Sequence, residues 1–85
     1  MDPVSEPSNP VTYIRKALGI SRAEIARRTG CGYGMLAHVE LGYDPQIAGS
    51  VLDALEILGL PRDDAQRMYV EWRETFRQDP ATAAG

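Results

Sequence analysis

One cysteine, one histidine, one tryptophan and one phenylalanine are all that the 85 residues offer of these four types. Cys31 alone excludes an internal disulfide framework and a cysteine-rich zinc site. His38 alone leaves no histidine cluster, so neither a metal nor a cofactor is expected. The apolar runs are only a few residues long, far short of the roughly 20 needed to span a bilayer, so no membrane contact is expected. No phosphate-cradling loop ending in Gly-Lys-Ser/Thr occurs. The one histidine has no evident carboxylate to orient it, and the one cysteine has no base near it in sequence. Enzymatic activity therefore has no candidate catalytic residues. The opening Met1-Asp2-Pro3-Val4-Ser5-Glu6-Pro7 is acidic and proline-rich, unlike a signal peptide. Together these absences predict a small soluble cytoplasmic protein.

What is present is of ordinary globular composition, 44% hydrophobic and 25% charged, and a chain of this length makes one domain. The formal net charge of −3 argues at first against nucleic acid, but it averages two unlike halves. From Tyr13 to His38, Arg15, Lys16, Arg22, Arg27 and Arg28 stand against Glu24 alone. From Tyr43 onward eight carboxylates outnumber four arginines. A basic first half joined to an acidic second half can still present one positive face.

Helical spacing occurs five times, and no segment shows sustained strand-type alternation. Residues 1–10, with three prolines, two serines and an asparagine, are expected to be a flexible arm, 11–78 the folded domain and 79–85 a disordered tail. Ile14 and Leu18 mark a first helix from Val11, stopped by Gly19. Ser21-Arg22-Ala23-Glu24 has the spacing of a capping box, with the Ser21 hydroxyl taking the Glu24 amide and Glu24 reaching back. Helix two then runs to Gly30, and helix three follows after only Cys31-Gly32, with Leu36 and Val39 on its apolar side. Ile47, Val51, Leu55 and Leu58 form the stripe of helix four. Helix five starts after Pro61, with Asp63 and Asp64 at its positive end and Ala65, Met68, Tyr69, Trp72 and Phe76 as its stripe. That stripe either completes the monomer's core or forms a two-fold dimer seam. Its methionine and aromatic content favours the seam, at Met68, Tyr69, Trp72 and Phe76.

Two helices joined as tightly as the second and third cannot lie antiparallel and must cross steeply. This is the arrangement by which a helix-turn-helix projects its second helix into a major groove. Gly19-Ile20-Ser21-Arg22-Ala23-Glu24-Ile25-Ala26-Arg27-Arg28-Thr29-Gly30 resembles the helix-two signature of the Cro/C1-type (XRE-family) helix-turn-helix proteins. Leu36-Ala37-His38-Val39-Glu40-Leu41-Gly42 is similar to the end of that family's recognition helix. Pro45 falls where its next loop often has proline, and Val51 to Leu60 looks like its fourth helix. The resemblance covers about Val11 to Leu60.

It implies an all-α, five-helix, lambda-repressor-like domain acting as a small homodimeric repressor that binds double-stranded DNA at a palindromic operator. It further implies a phosphate contact at Arg22 and a DNA-facing surface at Gly32, Tyr33, Gly34, Met35 and His38. An ion pair between Arg15 and Glu40 would be structural. Arg27 and Arg28 are read as further phosphate contacts.

The chain departs from the family where bases are read. The usual Ser, Thr, Gln, Arg or Asn are replaced by Gly32, Tyr33, Gly34 and Met35, none of which makes bidentate contacts to a base edge. Phosphate contacts would then carry much of the affinity. Gly34 within a helix costs about 1 kcal/mol relative to alanine, which implies that DNA or another helix approaches its backbone closely. Tyr33 either meets DNA or packs partly on helix two, and Cys31 reads as a small buried hydrophobe. The second reading is a protein-interaction module, an adaptor or inhibitor on the same scaffold, motivated by the glycine-rich third helix and the acidic total. The acidic C-terminal half would then offer a surface to a protein partner.

Overall fold

The computed structural model describes residues 8–78, with side chains as far as residue 75. Among the described residues five helices and no strands occur: α1 Pro10–Leu18, α2 Arg22–Thr29, α3 Tyr33–Leu41, α4 Gly49–Ile57 and α5 Arg62–Gln78. The all-α expectation is met.

The first correction lies at the start of α1. Asn9 and Pro10, expected in the arm, belong to the fold. Asn9 caps α1, its Oδ1 accepting the amides of Val11 (2.9 Å) and Thr12 (3.3 Å), and Pro10 takes the first helical position, where its missing N–H costs nothing. The Asn9 Nδ2 also donates to the Val39 carbonyl at 3.0 Å, and the side chain is buried at 3% exposure. Residues 1–7 of the expected arm and the 79–85 tail lie outside the described residues.

Half of the capping box on α2 forms. Ser21 Oγ accepts the Glu24 amide at 3.1 Å, whereas the Glu24 carboxylate binds arginines of its own helix. At the far end Gly30 turns the chain with φ 79°, its amide bonding the Ala26 carbonyl at 2.8 Å. Only glycine enters that left-handed region without strain. Thr29 Oγ1 donates to Ile25 O and accepts the Cys31 amide, so the last turn of α2 itself satisfies the first amide of the short passage into α3.

In α4 the structure moves the expected boundary. Ile47 is buried but precedes the helix, whose N-cap is Ala48. Ile47 and Leu52 hold the two positions of a hydrophobic staple and are both buried, which fixes the angle at which the chain enters.

The core draws on every helix: Val11 and Ile14, Ile25, Leu36 and Val39, Val51, Leu52, Ala54 and Leu55, and Ala65 and Tyr69, with Cys31, Ile47 and Leu60 from the connections. Tyr69 is the largest fully buried side chain, at 0% exposure, and its hydroxyl donates to the Asp44 carbonyl at 2.6 Å. This overturns its expected place in a dimer seam, because the ring is spent on its own chain. Met68 and Trp72 are half-buried against the same core. The side chain of Phe76 lies outside the described residues. Around α5, Gln66, Arg67, Val70, Glu71 and Glu74 are exposed, and Val70 is the one apolar residue among these five.

Candidate nucleic-acid interface

The first turn of α3 is open to solvent. Its N-cap is Gly32, which provides no side-chain hydrogen bond, so the leading amides of the helix have no cap from a side chain. Tyr33 and Met35 are 52% and 42% exposed, and Gly32 and Gly34 are exposed as well. A Cβ added at Gly34 would meet nothing within 4 Å. Among the described residues no other helix therefore needs this glycine, and the intramolecular one of the two expected causes finds no support there. The pattern within α3 follows its period: Leu36 and Val39 point into the core, while Gly34 and His38 share the opposite side, with Tyr33 and Met35 splayed to either flank.

The three arginines expected at phosphates are all on α2, and each is engaged within the chain. Arg22 has its Nε 3.1 Å from Glu40 Oε1, and its guanidinium lies over the Tyr33 ring at 5.4 Å from the centroid, a cation–π contact. Glu40, 11% exposed, also accepts from Thr12 Oγ1 at 2.7 Å and Arg15 Nη1 at 2.8 Å. The Arg22–Glu40 approach is close in distance but poorly angled. Among the described residues Glu40 Oε1 is thus buried without a hydrogen-bonded partner, and Arg15 Nε is a second such atom. Arg27 and Arg28 both bind Glu24, Arg27 through its Nε (3.1 Å) and Nη2, Arg28 through its Nε (2.7 Å). The Arg27 hydrogen bonds first, then that of Arg28, lower the Glu24 pKa to about 2. Each carboxylate therefore serves two guanidiniums, and each cluster keeps one net positive charge.

His38 is exposed one turn beyond Gly34. Its Nδ1 stands 3.6 Å from Asp44 Oδ2, too far for a hydrogen bond, and its ring meets Tyr43 edge-on at 5.0 Å. The expected site residues thus divide into two groups. Gly32, Tyr33, Gly34 and Met35 form the N-cap and first turn of α3, with Arg22 reaching the Tyr33 ring from the start of α2 and His38 one turn along. Arg27 and Arg28 stand in the last turn of α2, held by Glu24.

Three features escaped the sequence reading. Glu40 binds Arg22 as well as Arg15, eighteen positions separating the added partner. Thr12 completes that cluster. Leu41 and Tyr43 leave apolar surface exposed past the end of α3; the apolar character of Leu41-Gly42-Tyr43 was the available signal. Cys31 is buried, and burial raises its thiol pKa, which makes it inert rather than reactive. Among the described residues no group of three or more His, Cys, Asp or Glu is placed to hold a metal ion, and no helix is long and apolar enough to cross a membrane. In comparison with known proteins, the chain matches no family model, no curated protein and no solved structure.

Proposed function

We propose that the protein is a sequence-specific DNA-binding regulator of the Cro/C1-type, with α2 and α3 as its helix-turn-helix and α3 entering the major groove. The observation that carries this reading is the open first turn of α3, uncapped and bordered by Arg22. Helix-leading amides without a side-chain cap, and a guanidinium over the Tyr33 ring of the same turn, suit a phosphate, and the glycines at 32 and 34 keep Cβ atoms out of its way. The two arginine clusters supply a local positive surface on a chain of net charge −3. A homodimeric repressor fits the reading, with two α3 helices about 34 Å apart on a palindromic operator. Its seam must avoid Tyr69.

A second reading has its own observation in support. All three candidate arginines already hold carboxylates, so a protein partner rather than a polyanion would meet the open turn. Gel shift at low salt against random genomic fragments separates the two. Under the first reading a specific fragment survives competitor DNA, and Arg22→Ala weakens binding to all sequences alike while flattening the salt dependence by about one unit of log–log slope. No retardation at micromolar protein supports the second reading.

A further inference from the structure

Resting on the DNA-binding reading, the structure points to a particular kind of sequence readout. We infer that the α3 surface selects duplexes by their thymine methyl groups, through Met35 and Tyr33 on either side of Gly34, rather than by paired hydrogen bonds to base edges.

The first six residues of α3 present Tyr33, Gly34, Met35, Ala37 and His38 outside the buried core. None of these is a carboxamide or guanidinium, the groups that make two parallel bonds to adenine or guanine. His38 and the Tyr33 hydroxyl can each make single polar contacts. Arg22, whose guanidinium lies beside this turn, is directed onto Glu40 and the Tyr33 ring. What remains for recognition is chiefly apolar: a thioether, an aromatic edge and the bare backbone at Gly34. In the major groove the thymine C5-methyl is the apolar group that distinguishes one base from the others.

The placement of the two apolar side chains adds a constraint. At 100° per residue, Tyr33 and Met35 splay by about 160° across the helix, so they face opposite walls of a groove that α3 occupies. With no Cβ at Gly34 and nothing within 4 Å of where one would stand, the helix can sit closer to the groove floor between them. The duplex that fits has thymines on both strands close to the centre of each half-site, flanked by phosphates for the net-positive Arg22–Glu40–Arg15 and Arg27–Arg28–Glu24 clusters.

The first arm of the test leaves the protein unaltered. Duplexes are selected from a random-sequence pool at low salt, and the tightest is resynthesised with deoxyuridine in place of thymidine inside the footprint, then only outside it. Burying one methyl predicts about a fourfold rise in Kd for each contacted thymine replaced, with no change from substitutions outside. Met35→Ala should lose the preference for thymine over uracil at its own position and keep it at the position facing Tyr33. A selected duplex bound equally well with uracil throughout overturns the methyl readout and leaves DNA binding standing. A pool from which no duplex is retained at micromolar protein overturns both.

Discussion

The two ends of α3 are built in opposite ways. At the C-terminal end the chain is fastened from three other elements. Asn9 bonds Val39, and Thr12, Arg15 and Arg22 converge on Glu40. Just beyond, Arg73 donates to the Gly42 carbonyl and Tyr69 to that of Asp44. At the N-terminal end there is no side-chain cap, two glycines stand within three residues, and Tyr33 and Met35 are open to solvent. A helix anchored at its base presents its tip in a fixed orientation without spending tip residues on stability. The contrast implies that substitutions at the base are read in folding and those at the tip in binding.

The largest effect is expected at Glu40. Replacing it with alanine strands Arg15 and Arg22 and removes a hydroxyl bond from Thr12. The group is mostly but not wholly buried, so the loss is put at about 2–3 kcal/mol, below the figure for a fully buried pair. For a domain of this size that lowers Tm by roughly 10–20 °C, measurable by thermal or urea denaturation. A change under about 0.5 kcal/mol, the scale of ordinary surface substitutions, would mean that the base is not fastened as described.

Asn9 allows the same end to be divided into its parts. Asn9→Ala removes both the cap of α1 and the donor to Val39, about 2 kcal/mol together. Asn9→Ser keeps a hydroxyl oxygen for the helix-leading amides but has no N–H that reaches the Val39 carbonyl, so it retains the cap alone. Asn9→Ser should be less damaging than Asn9→Ala; equal losses would assign the whole effect to the long-range bond.

This residue also shows where local reading stops. The five helices were legible because apolar spacing and glycine stops are written within a few residues, and Ser21 capped its helix as the pattern required. Asn9-Pro10 carried an equally local start signal, a capping residue followed by proline at the first helical position, but the surrounding prolines and serines made the segment look like an arm. The Asn9–Val39 and Arg22–Glu40 contacts join positions 30 and 18 apart, and no periodicity encodes them. Tyr69 was correctly placed on an apolar stripe, yet a stripe does not say whether its own chain or a second copy will cover it. Of the candidate site, the exposed residues at the head of α3 were readable from their types and the Glu24 pairs with Arg27 and Arg28 from their i+3 and i+4 spacing, whereas the pairing of Arg22 with Glu40 depended on the fold.

At the tip, Gly34→Ala should raise stability by up to about 1 kcal/mol, since helix propensity improves and the new methyl meets nothing within 4 Å among the described residues. The same variant should bind selected DNA more weakly if a groove floor approaches the backbone there. Denaturation and binding would then move in opposite directions, the signature of a residue kept for an intermolecular contact. Improved stability with unchanged affinity would place the contact elsewhere on α3.

The smallest folding effect belongs to Glu24, whose exposed pairing with Arg27 and Arg28 reaches no buried group. Its carboxyl is lowered to about 2 from an ordinary 4.5. A depressed folded pKa stabilises the native state above the unfolded value and loses that contribution as pH falls through the folded one. The stability of the native chain should therefore fall between about pH 4.5 and 2 relative to that of Glu24→Gln, which has nothing to titrate at this position. Urea midpoints of the two proteins across that interval measure the difference, and a constant offset would mean that the pairing does not persist in solution. Binding sharpens the comparison, because the same substitution releases two guanidiniums from one carboxylate. If α2 lies along a phosphate backbone, Glu24→Gln should bind DNA more tightly and steepen the log–log salt dependence by roughly 0.9 for each new phosphate contact. A protein partner would give no such slope, so one variant tests both the ion pairs of α2 and the polyanion they are proposed to meet.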